Sequence, residues 1–262
     1  NTLVEELPRC FQEINRWMSD YFPQLNPGKI EIIVFGSQSV LQKLHIYVPF
    51  ISPFICVRFV STVKKLGFRL DSCLTFRNQI MSLKSSCFHK LRKIAKMQPF
   101  LSHKQMQILT QALVLSSLDY CNALYYGIDC HLMNQLHVIQ NRACRVIFGL
   151  KKKDSVTAHL KDLHWLKVQE RIEFKILLLV YKSLNGLAPS YLSELLHYNN
   201  ISGSRTPSLQ SYIYQSSRGE RAFQCYASRI WNGIPCNIKQ SENVNIFKNI
   251  LKTYLFGKSY VI

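Results

Sequence analysis

The sequence predicts an α+β fold, mainly α, in which a small antiparallel sheet near the start gives way to helices for the rest of the chain. Three observations predict it. Up to about residue 75 the apolar residues come in short runs broken by Pro and Gly, the pattern of edge strands and turns. From Phe76 the apolar period becomes helical. With 47% hydrophobic and 18% charged residues, the 262-residue chain has enough apolar material for one large core or two smaller ones.

Taken in order, Leu3 to Asp20 reads as a helix with Leu7, Phe11, Ile14 and Trp17-Met18 on its apolar side, stopped by Pro23 and the Asn26-Pro27-Gly28 turn. Lys29 to Gly36 reads as an apolar strand closed by Gly-Ser. A second β region runs through Ile46–Phe54 and Cys56–Val63, and Leu66 to Asp71 makes a short strand and turn. Residues 1–75 therefore form a helix packed on a small antiparallel sheet.

Residues 76–150 read as a helical domain. Ile80, Leu83, Cys87, Leu91 and Ile94 line one face of a helix that Pro99 ends. Two apolar helices follow between Met106 and Leu150. The first carries Met106, Leu109, Leu113, Tyr120 and Leu124 on one stripe, with Ile108, Ala112, Leu115 and Leu118 opposite, so burial nearly all round is expected. The second repeats Leu132, Leu136, Ile139, Ala143, Val146 and Leu150. Joined by a short turn, the two pack antiparallel and offer the surface on which later elements dock. Lys151-Lys152-Lys153 opens a helical extension over 151–198, with helices at Val156–Leu163 and Val168–Leu184; Gly186 caps the latter, and Pro189 opens a short helix through Leu196. Residues 199–218, rich in Ser, Asn and Tyr, read as a linker without apolar anchors. Helices at Gly219–Trp231 and Val244–Phe256 fill the closing stretch, 219–262.

The charge is one-sided: 33 Lys and Arg face 15 Asp and Glu, a net +18. From Ile32 to Leu118 the sole acid is Asp71, against twelve Lys and Arg. Such a field points to a polyanionic partner, nucleic acid before an anionic membrane, with a basic surface kept for solubility as the bland alternative. Nine cysteines without a Cys-x-x-Cys pair read as reduced thiols of a nuclear or cytoplasmic protein, with Cys121 and Cys130-His131 as core residues before a metal fragment. The longest uncharged runs, Leu44 to Val57 and Gln105 to Leu118, fall short of the ~20 residues that span a bilayer, so no membrane partner is expected. The chain opens on Asn1 rather than Met, the mark of a piece of something longer.

Three groups of motifs are specific in their order and spacing. The first joins Trp17-Met18 to Leu25-Asn26-Pro27-Gly28-Lys29-Ile30-Glu31 and Phe35-Gly36-Ser37. The second is Leu66-Gly67-Phe68-Arg69-Leu70-Asp71 with Leu74-Thr75-Phe76. The third runs from Ser117-Leu118-Asp119-Tyr120-Cys121-Asn122 through Val138-Ile139-Gln140-Asn141-Arg142-Ala143 to Leu163-His164-Trp165-Leu166. Later pieces agree: Arg171-Ile172 with Phe174-Lys175, Ala188-Pro189-Ser190-Tyr191-Leu192, Arg221-Ala222-Phe223 and Trp231-Asn232-Gly233-Ile234-Pro235. Together they resemble the C-terminal part of a reverse transcriptase from a LINE-type, jockey-like non-LTR retrotransposon. The resemblance implies a palm remnant with a primer-grip-like turn at 1–75, a thumb at 76–150 and a family-specific C-terminal extension.

The departures matter as much. In that family two metal-binding carboxylates sit in an Asp-Asp hairpin just upstream of the segment resembling residues 10–37, with a third earlier still. This chain has no Asp-Asp pair, and the nucleotide-binding fingers are missing. Polymerase chemistry holds two Mg²⁺ ions about 4 Å apart on such carboxylates. The resemblance thus implies Mg²⁺ for the intact parent and no cofactor, and no polymerase activity, for this chain alone. Lys167 stands where the family has proline. The implied partners are an RNA or DNA primer–template and the missing N-terminal part of the polymerase. The alternative is a helical protein-interaction remnant of a mobile element.

Candidate residues follow. By resemblance Lys29 lies close to nucleotide phosphates in the intact parent, and Leu66, Gly67 and Asp71 belong to the primer-grip-like turn; an ordinary solvated turn and an ordinary hairpin are the bland readings. Asp119 sits inside an apolar helix, where it caps or bonds a neighbouring helix before it catalyses anything. The charge pattern itself offers a nucleic-acid face on the helix from Arg77 to Lys96: Lys84, His89, Lys90, Arg92, Lys93 and Lys96 repel one another without an acid to neutralise them, and a phosphate strand relieves that repulsion. Arg142, Arg145, Lys151, Lys152 and Lys153 form a second basic set.

Overall fold

The computed structural model describes residues 2–21, 26–44, 58–199, 208–214 and 219–260. It is mainly helical with little strand, as the periodicity predicts, and divides into two compact units, Asn1–Gln79 and Ile80–Ile262.

In the first unit, helix α1 (Thr2–Asp20) leaves Ile14 and Trp17 exposed, so it is not held on the sheet by the whole expected apolar face. The expected strand at Lys29–Gly36 shrinks to β1 (Glu31–Ile32), which pairs in parallel with β2 (Arg58–Phe59). The cause is local on both sides. Pro27–Lys29 closes a 3₁₀ turn before it, and Gly36-Ser37 starts a helix after it, α2 (Gln38–Leu44), which strand periodicity hid. Ser37 Oγ accepts from the Val40 N–H, the N-cap role that Ser plays well. The expected strand at Ile46–Phe54 lies outside the described residues. A separate two-stranded antiparallel sheet is the hairpin β3 (Thr62–Lys65) and β4 (Phe68–Asp71), with Lys65 opposite Phe68.

Leu66 and Gly67 alone connect these strands, with φ of 49° and 82°, the two left-handed residues of a type I′ turn. Gly67 suits that backbone, whereas Leu66 is a γ-branched residue at a position that favours Asn or Gly. Replacing Leu66 by Asn is expected to raise the stability of this unit by about 1 kcal/mol. Urea titration of the purified variant checks it, and a midpoint at or below wild type refutes the strain reading. Beyond β4, Asp71 bends the chain: its two carboxylate oxygens accept from the N–H of Thr75 at 2.8 Å and of Phe76 at 2.7 Å. Phe76 is thereby held at a φ of 58° with its ring buried against Phe68.

The second unit holds most of α3 (Arg77–Met97), whose buried residues Ile80, Cys87, Leu91 and Ile94 match the predicted stripe. The helix expected from Met106 onward breaks into pieces: α4 (His103–Thr110), a π-helical turn at Gln111–Leu115, α5 (Ser116–Asp119) and a 3₁₀ turn at Asn122–Tyr125. Nor is it buried all round. Met106, Thr110, Val114, Leu115 and Leu118 face inward, while Ile108, Leu113, Tyr120 and Leu124 stay exposed, because the π turn shifts the register of the stripe. Helix α6 (Cys130–Phe148) starts on the Asp129 cap and ends on Gly149 at φ 67°. Helix α7 spans Thr157–Asp162 and α8 spans Val168–Leu184.

The hub is α8, rather than the pair between Met106 and Leu150. Ile172, Ile176, Leu177, Val180 and Tyr181 are buried, and α8 meets α6, α9 (Ser190–Ser193), α10 (Phe223–Asn232) and α12 (Val244–Tyr260). Its apolar residues occupy nearly every position of its middle turns, so it can be wrapped from several sides. Between α10 and α12 sits α11 (Cys236–Lys239), a short helix that the sequence reading passed over. Arg171 at the start of α8 grips Asp119 with both Nε (2.8 Å) and Nη2, so Asp119 is an inter-helix tie.

The 199–218 stretch is anchored where it is described. Leu209 is buried, bridges to Tyr198, and has its backbone N–H and C=O both paired with the Asn232 side-chain amide at 2.8 Å. A lone apolar residue without period cannot signal such a clamp. Among the described residues no helix is long and apolar enough to cross a membrane.

Candidate nucleic-acid interface

The buried stripe of α3 fixes which of its cations face outward. His89, Arg92, Lys93 and Lys96 are exposed along the opposite side, within two helical turns of one another. Lys84 and Lys90 are not free to join them. Lys84 Nζ donates to Gln135 Oε1 at 2.6 Å and lies 5.8 Å from the centre of the Phe88 ring. Lys90 Nζ donates to the Leu113 carbonyl at 3.0 Å and to Ser117 Oγ at 2.8 Å. The predicted six-residue basic face is therefore Arg92, Lys93 and Lys96 with His89 beside them, and two internal ties. The ammonium of Lys90 satisfies a carbonyl inside the π turn, where i→i+5 bonding disturbs the regular ladder.

The end of α3 gathers more positive charge. A 3₁₀ turn at Gln98–Phe100 leads to Ser102, which forms a reciprocal capping box with Gln105 at the start of α4. The Gln98 side chain lies against Gly149, so close that a Cβ there would stand 2.8 Å from Nε2; any other residue would have to push it aside as well as strain φ. His103 Nδ1 is 3.2 Å from the Ile147 carbonyl, and Phe148 stacks between His103 and His159. The C-terminal ends of α3 and α6 thus meet. Lys96 lies two positions before Gln98, and Lys151, Lys152 and Lys153 follow two to four positions after Gly149, all exposed. Lys104, also exposed, starts α4 at the same end.

Within the second basic set, Arg142 is exposed on α6, but Arg145 is half-buried and donates from Nη2 to the Asp154 carbonyl at 3.1 Å. Arg145 is a turn-fixing residue. Asp154 also accepts from the Lys151 N–H through Oδ2 at 2.7 Å, so backbone bonds fix the turn while the three lysine side chains remain outside. In the first unit Lys29 is exposed at the end of its 3₁₀ turn, Leu66 and Gly67 form the hairpin tip, and Asp71 serves as the capping carboxylate described above.

This arrangement can neutralise anions. Burial pushes the thiols of Cys87 and Cys144 up to about 11, so both stay protonated near neutrality. Burial also lowers the pKa of His137, opposed by Glu170. Among the described residues no group of three His, Cys, Asp or Glu is placed to hold a metal ion, so they do not fit the Mg²⁺ pair of a polymerase. The sequence reading passed over Lys104, His103 and the Ser102-x-x-Gln105 box, the last of which is a legible helix-start signal. No family model, curated protein or solved structure matches this chain.

Proposed function

We propose that the chain is the C-terminal part of a LINE-type reverse transcriptase, without polymerase chemistry of its own, and that it holds the backbone of a primer–template nucleic acid. The motif order supports the family, and the two-residue Leu66-Gly67 turn suits a primer-grip role. One observation carries the binding activity: Arg92, Lys93 and Lys96, with His89, are exposed on one side of α3 with no acid on that helix, and Gln98 just past its end lies against Gly149, two positions before Lys151. Charges so arranged repel one another in the free protein, and a phosphate strand converts that repulsion into attraction and counterion release.

Titration of a primer–template duplex over a range of salt tests it. With four or more phosphates contacted, the log–log slope of affinity against salt is expected to be about −3.6 or steeper. A slope near zero sinks the reading. That result would favour the alternative, a protein-interaction remnant, for which Ile108, Leu113 and Leu124 are exposed apolar side chains.

A further inference from the structure

In the turn between α3 and α4, Phe100 is 85% exposed. Burying an aromatic ring is among the largest single gains a fold can make, so a Phe left almost wholly in water is a loss the fold does not need. The backbone that carries the ring is also held in place. Phe100 ends the 3₁₀ turn Gln98–Phe100, Pro99 fixes the preceding backbone angle, Leu101 N–H returns to the Gln98 carbonyl, and the capping box locks the next residue. Gln98 is in turn seated against Gly149. The turn is pinned on both sides while its ring points to solvent.

Its surroundings name the occupant. Lys93 and Lys96 precede it on the exposed face of α3, Lys104 follows it, and the Gln98–Gly149 contact brings the Lys151–Lys153 turn to the same end. An apolar protein partner would not call for so many lysines at the same helix ends. A flat ring beside cations matches an unpaired nucleotide, whose base stacks while its phosphates meet lysines. We infer that Phe100 is a base-stacking platform, and that the basic end takes single-stranded nucleic acid, or the unpaired end of a duplex, rather than uninterrupted duplex. This rests on the phosphate-binding reading of α3 and adds to it a preference for strand state. In a stacked base pair both faces of each base are covered, so Phe100 gains nothing from the interior of a duplex.

The test uses the full chain with three probes of equal length: an oligo(dT), the same strand with abasic sites in place of bases, and a blunt duplex. Phe100→Ala is expected to weaken oligo(dT) binding about five- to 150-fold, the range for losing one stacked base, while its salt slope and its affinity for the other two probes stay as in wild type. Phe100→Trp is expected to keep oligo(dT) affinity, with indole fluorescence quenched by oligo(dT) and not by the abasic strand. Far-UV circular dichroism confirms that both variants fold, as an exposed position should allow. If Phe100→Ala binds oligo(dT) like wild type while loss of the α3 cations flattens the salt slope, the stacking role is overturned and the phosphate reading stands. Equal weakening on all three probes overturns it too, because a stacking ring acts only where there are bases. Wild-type protein that binds none of the probes overturns both.

Discussion

Replacing Arg92, Lys93 and Lys96 together by Gln is expected to flatten the salt dependence of primer–template binding by about two to three log–log units. At about 0.1 M salt that corresponds to roughly two to three decades of affinity, since each unit of slope is worth about one decade between 0.1 and 1 M. The three side chains are exposed and, among the described residues, have no hydrogen bond or ion pair, so the thermal midpoint should be unchanged or slightly higher as like charges are removed. Lys90→Met is the contrast. It removes a cation from the same helix, but one whose ammonium is committed to Leu113 and Ser117. It should leave the slope as it is and lower stability by about 1.5–3 kcal/mol, the scale for hydrogen bonds made by a charged group. If the triple variant keeps the full slope, the phosphates lie elsewhere, and Lys151–Lys153 with Arg142 is the next set to remove.

The largest effect on stability is expected from Phe247→Ala. Phe247 is fully buried on α12, stacks on Tyr181 of α8 with ring centroids 4.2 Å apart, and lies 6.1 Å from the Trp231 ring of α10. Tyr181 is fixed in turn by its hydroxyl, which donates to the Ser241 carbonyl at 2.7 Å. Truncation would open a cavity among three helices that have little freedom to close it, and should cost about 3–5 kcal/mol. For a unit of this size the thermal midpoint drops on the order of 10 °C. Calorimetry or urea titration reads it directly. A loss under about 1 kcal/mol would mean that α12 is not seated on α8 as described.

Where a residue's role is set by its near neighbours in the chain, the sequence was enough. The 3.6-residue period located α3, α6 and α8 to within a residue or two, because each buries a stripe that no other local pattern produces. Gly186 was readable as a helix end, and its φ of 67° with the Leu187 N–H returned to the Lys182 carbonyl is the expected geometry. The Leu66-Gly67 turn was readable from one glycine between two short apolar runs. The same local logic failed at the π turn. The residues from Met106 to Leu124 satisfy a helical stripe on both sides, and periodicity alone cannot say which side a register shift will expose.

Composition and period by themselves determined a mainly helical α+β chain with an acid-poor, basic helix whose inward face is fixed by Ile80, Cys87, Leu91 and Ile94. Only the tertiary structure decided which of its cations are available. Lys90 meets a carbonyl 23 positions away, Lys84 an amide 51 positions away, and Arg145 a turn carbonyl nine positions on. None of these distances leaves a trace in local pattern. The meeting of Gln98 with Gly149, which sets Lys96, Phe100 and Lys151–Lys153 at one end, is of the same kind. The physical reason is shared: a stripe of apolar residues dictates burial through a bulk effect that many sequences satisfy, whereas the partner of a single polar atom depends on which helix ends the packed core brings within 3 Å of it.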